Sequence, residues 1–148
     1  GATNNCLVMI GPIRNNGLRF EEKMRYSGGT DTLFFRQAAA LDMSIVWSPA
    51  ALVREYIPAE RCTLRWLIKR HFRAGNTLAI CDWKIDGIKG GATRFGQALL
   101  KIFQGLLNLP IAFEGQHEFA RSMLMFARGA GMIAGLVGYR FEEFRPVK

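Results

Sequence analysis

Asp31 follows Gly28-Gly29-Thr30 and opens a run in which Leu33, Phe34 and Ala38 fall at helical spacing. A carboxylate in the first turn of a helix is favoured in its ionised form by the helix amino terminus, and it can accept a proton from a hydroxyl brought to it. The plainer role of such a residue is to stabilise its own helix, and spacing alone favours that role. Arg61, Arg65, Lys69 and Arg73 recur every four residues, with Arg70 beside them, so they trace one side of a helix. Guanidinium groups in that array suit a phosphate or diphosphate through charge-assisted hydrogen bonds, or they form a solvated face. Trp66 stands among them as a stacking surface for a sugar or as a core residue. Cys6, Cys62 and Cys81 are widely spaced, with no C-x-x-C and no companion histidines, so neither a disulfide framework nor a zinc site is indicated and a reducing cytoplasm fits. His71 and His117 lie far apart and receive no role.

The charge has a position as well as a sum. Of 20 Lys and Arg and 12 Asp and Glu in 148 residues, net +8, nine basic and two acidic side chains fall between residues 61 and 101. Such a block attracts a polyanion, an acidic lipid surface or a nucleoside diphosphate. No helix-turn-helix pattern and no interleaving of aromatic and basic residues is present, so nucleic acid is not expected as a partner. Hydrophobic residues at 49% and charged ones at 22% are ordinary globular usage and exclude a disordered or fibrous chain.

These residues need elements to hold them. Cys6 to Ile10 reads as a short buried strand stopped by Gly11 and Pro12; Ser44 to Trp47 and Ala51 to Tyr56 read as two further strands. A helix is expected over 31–42 with Thr30 as its N-cap, and another from Glu60, where Leu64, Leu67, Ile68 and Phe72 share a face. Asp86 to Ala92 is a Gly-rich loop by composition. Beyond it come an apolar helix over 97–108, ended by Pro110, and an apolar segment from Phe119 to Tyr139 containing Gly131-x-x-x-Gly135. Neither is a convincing membrane span, and they read equally as interfacial helices or as helices packed on each other. The start has neither an initiator Met nor a signal peptide, which suits a fragment of something longer.

In order and spacing, residues 1–76 resemble the second half of family 2 glycosyltransferases, including members that build bacterial exopolysaccharides. Thr3-Asn4-Asn5 before an apolar strand is similar to the segment entering the acceptor site, and Phe20-Glu21-Glu22 to the family's F-D-E. Gly28 to Arg36 resembles the "G-E-D-T-D-hydrophobic-Arg" signature, with Asp31 at the position of its general base. Ala50 to Pro58 and Arg61 to Asn76, including Arg65-Trp66, are similar to the segments that follow.

The resemblance implies an α+β fold: a partial GT-A sheet with packed helices over residues 1–82, the acceptor-binding half, and a helical, membrane-associated tail over 83–148. It implies the acceptor side of an inverting transferase that moves a sugar from a nucleotide-sugar donor to a glycan or lipid-linked acceptor at the inner face of the cytoplasmic membrane. Asp31 would be the base; Asn5, Arg61, Arg65, Trp66, Arg70 and Arg73 would bind substrate. Thr30 replaces the signature's first acid. Glu55 stands where many members carry His, which makes it a candidate metal ligand, and Cys62 stands where processive members carry Gln, which favours a non-processive enzyme. A divalent metal, Mg or Mn, is expected in a full-length enzyme and not in this chain alone, because no D-x-D occurs in the sequence. Without a donor half the chain is expected to be inactive by itself. The alternative is a non-catalytic basic module on an anionic membrane surface.

Overall fold

In a computed structural model, residues 3–109 and 115–143 are described, and among them every regular element is helical. The elements are α1 (Ile10–Asn15), α2 (Thr30–Ala40), α3 (Leu64–Leu107) and α4 (Gln116–Leu136), with short 3-10 turns at Thr3–Asn5, Glu22–Met24 and Ala59–Cys62. This corrects the expected α+β class, since no strand and no GT-A sheet forms among the described residues. The stretches expected as strands are irregular chain, with Val46, Trp47, Leu52 and Tyr56 almost fully exposed. Their β-branched and aromatic residues favour a pleated surface only where a neighbouring edge supplies ladder hydrogen bonds. No such edge lies beside them here. Ile10, Gly11 and Pro12 open α1 instead, where proline's missing amide costs nothing because first-turn amides have no partner inside the helix.

The Gly-rich piece 86–92 is also not a loop. Helix α3 runs through it with one break at Gly87, whose φ of 56° and ψ of −133° suit only glycine. The second limb, 88–107, turns back along the first, 64–86: Ala79 meets Ala98, and Asp82 pairs with Arg94. Helix α4 lies against both limbs. It runs parallel to the first, with Gly131 and Gly135 against the backbones of Phe72 and Asn76, and antiparallel to the second, with Gly129 at Ala98 and Ser122 at Gly105. A Cβ on Gly131 would stand 2.0 Å from the Phe72 carbonyl oxygen, so the Gly131-x-x-x-Gly135 spacing lets two backbones approach closely. The late helices therefore pack on one another, and Ala79, Ala98 and Met132 form the core where the three segments meet. The helix end assigned to Pro110 lies outside the described residues.

Asn76 fastens the chain beyond α4. Its fully buried amide donates to the Tyr139 carbonyl at 2.8 Å and accepts from the Phe141 amide at 3.1 Å. A smaller core, Met24, Leu33, Ile80 and Cys81 with Ile85 beside them, seats α2 on the first limb of α3.

Candidate functional site

Gly28 and Gly29, with φ of 74° and 83°, turn the chain into α2, and Gly29 rather than Thr30 is the N-cap. A Cβ on Gly29 would fall 1.9 Å from the Thr77 methyl, so this turn is pressed onto the first limb of α3. Asp31 is half-buried in the first turn, and its Oδ1 accepts from the Thr32 amide at 2.7 Å. The helix-stabilising role is thus present. Asp31 makes no ion pair or second side-chain hydrogen bond among the described residues, which leaves lone pairs to receive a proton.

Helix α2 is held by charge as well as by its apolar face. Arg36 pairs with Asp82 and reaches Asp86 at 3.5 Å, while Arg94 from the second limb meets the other oxygen of Asp82 at 2.5 Å. Asp82 is almost fully buried, so one carboxylate joins α2 to both limbs of α3. Burial pushes the Cys81 thiol up, against the pull of Arg36, Lys84 and Arg94 and with a contribution from Asp31. The charges around Cys81 are those the fold gathers near Asp31. Of these, Arg36 ends the signature that Gly28 opens, whereas Lys84 and Arg94 carry no signal in the sequence, and Arg94 meets Asp82 only because of the reversal at Gly87. Phe20 and Glu21 come to the same side: Phe20 stacks on Phe34 with centroids 4.4 Å apart, and Glu21 pairs with Lys84 at 2.5 Å.

The basic stripe lies elsewhere. Arg61 is in the 3-10 turn before α3, 4.0 Å from Glu55, and both side chains are exposed. Arg65 is exposed, Arg70 places its guanidinium 5.2 Å from the centroid of Trp66, and Arg73 pairs with Glu143 at 2.5 Å. The turn bearing Asp31 contacts α3 at Thr77, and Arg65 precedes that point by about 18 Å of helix axis. The structure does not bring Arg61, Arg65, Trp66 or Arg70 beside Asp31; Arg73 comes nearest, about 6 Å along the axis from Thr77. Asn5 donates to the Ala51 carbonyl at 2.8 Å and ties the two irregular segments together. No group of three His, Cys, Asp or Glu side chains able to hold a metal occurs among the described residues, and Glu55 has Arg61 as its neighbour. The described residues do not make a metal site.

His71 lies on the face of α3 that meets α4. Burial lowers its pKa from the ordinary 6.5, and the charges of Arg128 and Arg70 lower it further. The Arg128 Nε is itself buried without a hydrogen-bond partner. The unfolded chain then binds the proton more readily than the folded one, so stability is lost as pH falls through about 6.5 and is complete above it. Thermal melts should show Tm declining from pH 7.5 to 5.5, with the decline reduced in His71→Gln. An unchanged slope in that variant would place the titration elsewhere.

Helix α3 runs uninterrupted through residues 82 and 83, and no described helix is long and apolar enough to cross a membrane. No family model and no solved structure matches the chain. It is 40% identical over 144 residues, 97% of its length, to the succinoglycan biosynthesis protein ExoM of Rhizobium meliloti (strain 1021), and it spans 46% of the length of that protein.

Proposed function

We propose that this chain is the acceptor side of an inverting family 2 glycosyltransferase of bacterial exopolysaccharide synthesis, with Asp31 as its general base. The observation that carries the reading is Asp31 itself. It sits at a tight glycine turn pinned to α3, with one oxygen fixed by the Thr32 amide and lone pairs left over. The similarity to a succinoglycan biosynthesis protein supports the choice of pathway class. Asp31 would take the proton of an acceptor hydroxyl as its oxygen attacks the anomeric carbon, while the nucleoside diphosphate leaves from the opposite face. The acceptor is a glycan or a lipid-linked glycan.

The leaving diphosphate needs cationic help. Of the basic stripe, Arg73 lies nearest the Asp31 turn along α3 and is the candidate in this chain, and Trp66, already stacked with Arg70, offers a face to a sugar further from the base. A divalent ion would need ligands beyond those the described residues bring together. The test is transfer of labelled sugar from nucleotide-sugar donors to endogenous acceptors by the full-length natural protein, compared with its Asp31→Asn variant. Loss of transfer in the variant supports the reading, and full retention overturns it.

A second reading, contact with an anionic membrane surface, is favoured by the second limb of α3. Phe95, Leu99, Leu100, Phe103, Leu106 and Leu107 are each about half exposed, and they overlap and follow the end of the basic block. An apolar strip of this kind beside positive charge suits the headgroup boundary of acidic lipid. Co-sedimentation with phosphatidylglycerol vesicles should exceed that with phosphatidylcholine vesicles and weaken when Leu100 and Phe103 are both changed to Ser. Equal sedimentation with both lipids, or none with either, would count against a surface role.

A further inference from the structure

A cavity of about 570 Å³ opens between the loop 16–21, the last turns of α2 and the first limb of α3 near Lys84. We propose that this cavity binds a neutral oligosaccharide segment, two or more sugar units away from the hydroxyl that Asp31 would activate. That placement rests on the acceptor-side reading, whereas binding itself does not.

The lining supplies the groups that recognise a sugar. Phe20 has one face against Phe34 at an interplanar angle of 15° and remains 50% exposed, so it is a rigid aromatic platform held from behind. The C–H bonds on one side of a pyranose ring carry small positive charge, and they settle on the negative face of such a ring while the hydrophobic area is covered. Around the platform stand the amides of Asn16 and Gln37, the Arg19 guanidinium and the Glu21–Lys84 ion pair. Hydroxyl groups both donate and accept, and this set offers both partners to them. Arg19 and Lys84 stand against Glu21, a net charge of +1, and Glu21 already occupies Lys84. The aromatic platform, rather than the single net charge, is what suits a neutral sugar, and competition by inorganic phosphate separates the two. The volume corresponds to a site for about two or three hexose rings.

The position fits a remote unit of the glycan. Gln37 lies about 9 Å along the axis of α2 from Asp31 and about 120° around it, so a monosaccharide in the cavity does not reach Asp31. A chain of several units does.

Saturation-transfer NMR on this chain, with cellotetraose, maltotetraose and a β-linked galactotetraose each tested alone, reads the site directly. At least one tetrasaccharide should give transfer to ring protons, with a millimolar Kd that weakens about tenfold in Phe20→Ala and again in Gln37→Ala. Both side chains are at the surface of the cavity, and helical circular dichroism should be unchanged in both variants. Inorganic phosphate should not compete. No transfer from any of the three sugars, undiminished binding in both variants, or displacement by phosphate would each overturn the proposal. Asp31→Asn should bind the sugar normally. Sugar binding in a protein whose transfer survives Asp31→Asn would remove Asp31 as the base and keep the cavity; loss of transfer without sugar binding would do the reverse.

Discussion

Sugar transfer by the full-length protein should fall about 1,000-fold when Asp31 is replaced by Asn, with the acceptor KM little changed. Asparagine keeps the shape of the side chain and its carbonyl oxygen can still accept from the Thr32 amide, so that hydrogen bond in the first turn of α2 survives. What is lost is the capacity to take a proton, a transition-state contribution with no ground-state counterpart. If Asp31 served only its own helix, the same change would cost about 1 kcal/mol of stability or less and leave kcat within a small factor. The two roles are separated by measuring Tm and kcat on one preparation. A large fall in kcat identifies a base, and a shifted Tm with unmoved kcat identifies a residue that serves only its helix. Asp31→Glu adds a third reading: it restores the carboxylate one methylene further out, so the function of a base would recover in part and a first-turn charge almost wholly.

How far the sequence led depended on whether a signal was local or needed a partner. Asp31, the helix after it and the apolar face of Leu64, Leu67, Ile68 and Phe72 depend on spacing within one element, and α2 and α3 formed where that spacing places them. The strands at 6–10, 44–47 and 51–56 depended on a second edge to pair with, which composition does not report, and Ile45, Val46 and Trp47 stand exposed instead. The segment 86–92 departs from expectation for a different reason. A cluster of glycines signals a loop by composition, yet here one glycine absorbs the turn and Gly90 and Gly91 continue the helix, packed against Asp82 and Trp83. The basic stripe was legible as periodicity from Arg65 to Arg73, but its distance from Asp31 was not, because it depends on where α2 lands on α3. Gly75 and Asn76 carry a structural reason that motif matching hides: one lets α4 approach, and the other binds the chain at Tyr139 and Phe141.

The landing of α2 is fixed largely by Asp82, and Asp82→Ala should lower stability by about 3 kcal/mol, a fall in Tm of about 10 °C. The side chain of Asp82 is 6% exposed and those of Arg94 and Arg36 are 15% and 34%, so removing the carboxylate leaves one guanidinium largely buried without its partner and a second one partly so. The cost lies in that uncompensated charge more than in the lost attraction, and solvent at Arg36 keeps it below the upper end of the range for buried pairs. Changing Arg94 to Met at the same time removes the stranded charge, and the double variant should recover much of the loss. Additive losses would instead show that the three groups act independently. Because Asp82 also orients α2 through Arg36, while Asp86 reaches the same guanidinium at 3.5 Å, the double variant should regain stability before it regains transfer. A stable double variant with kcat still depressed would separate the role of Asp82 in holding the fold from its role in aiming Asp31. Full recovery of both would confine Asp82 to the fold.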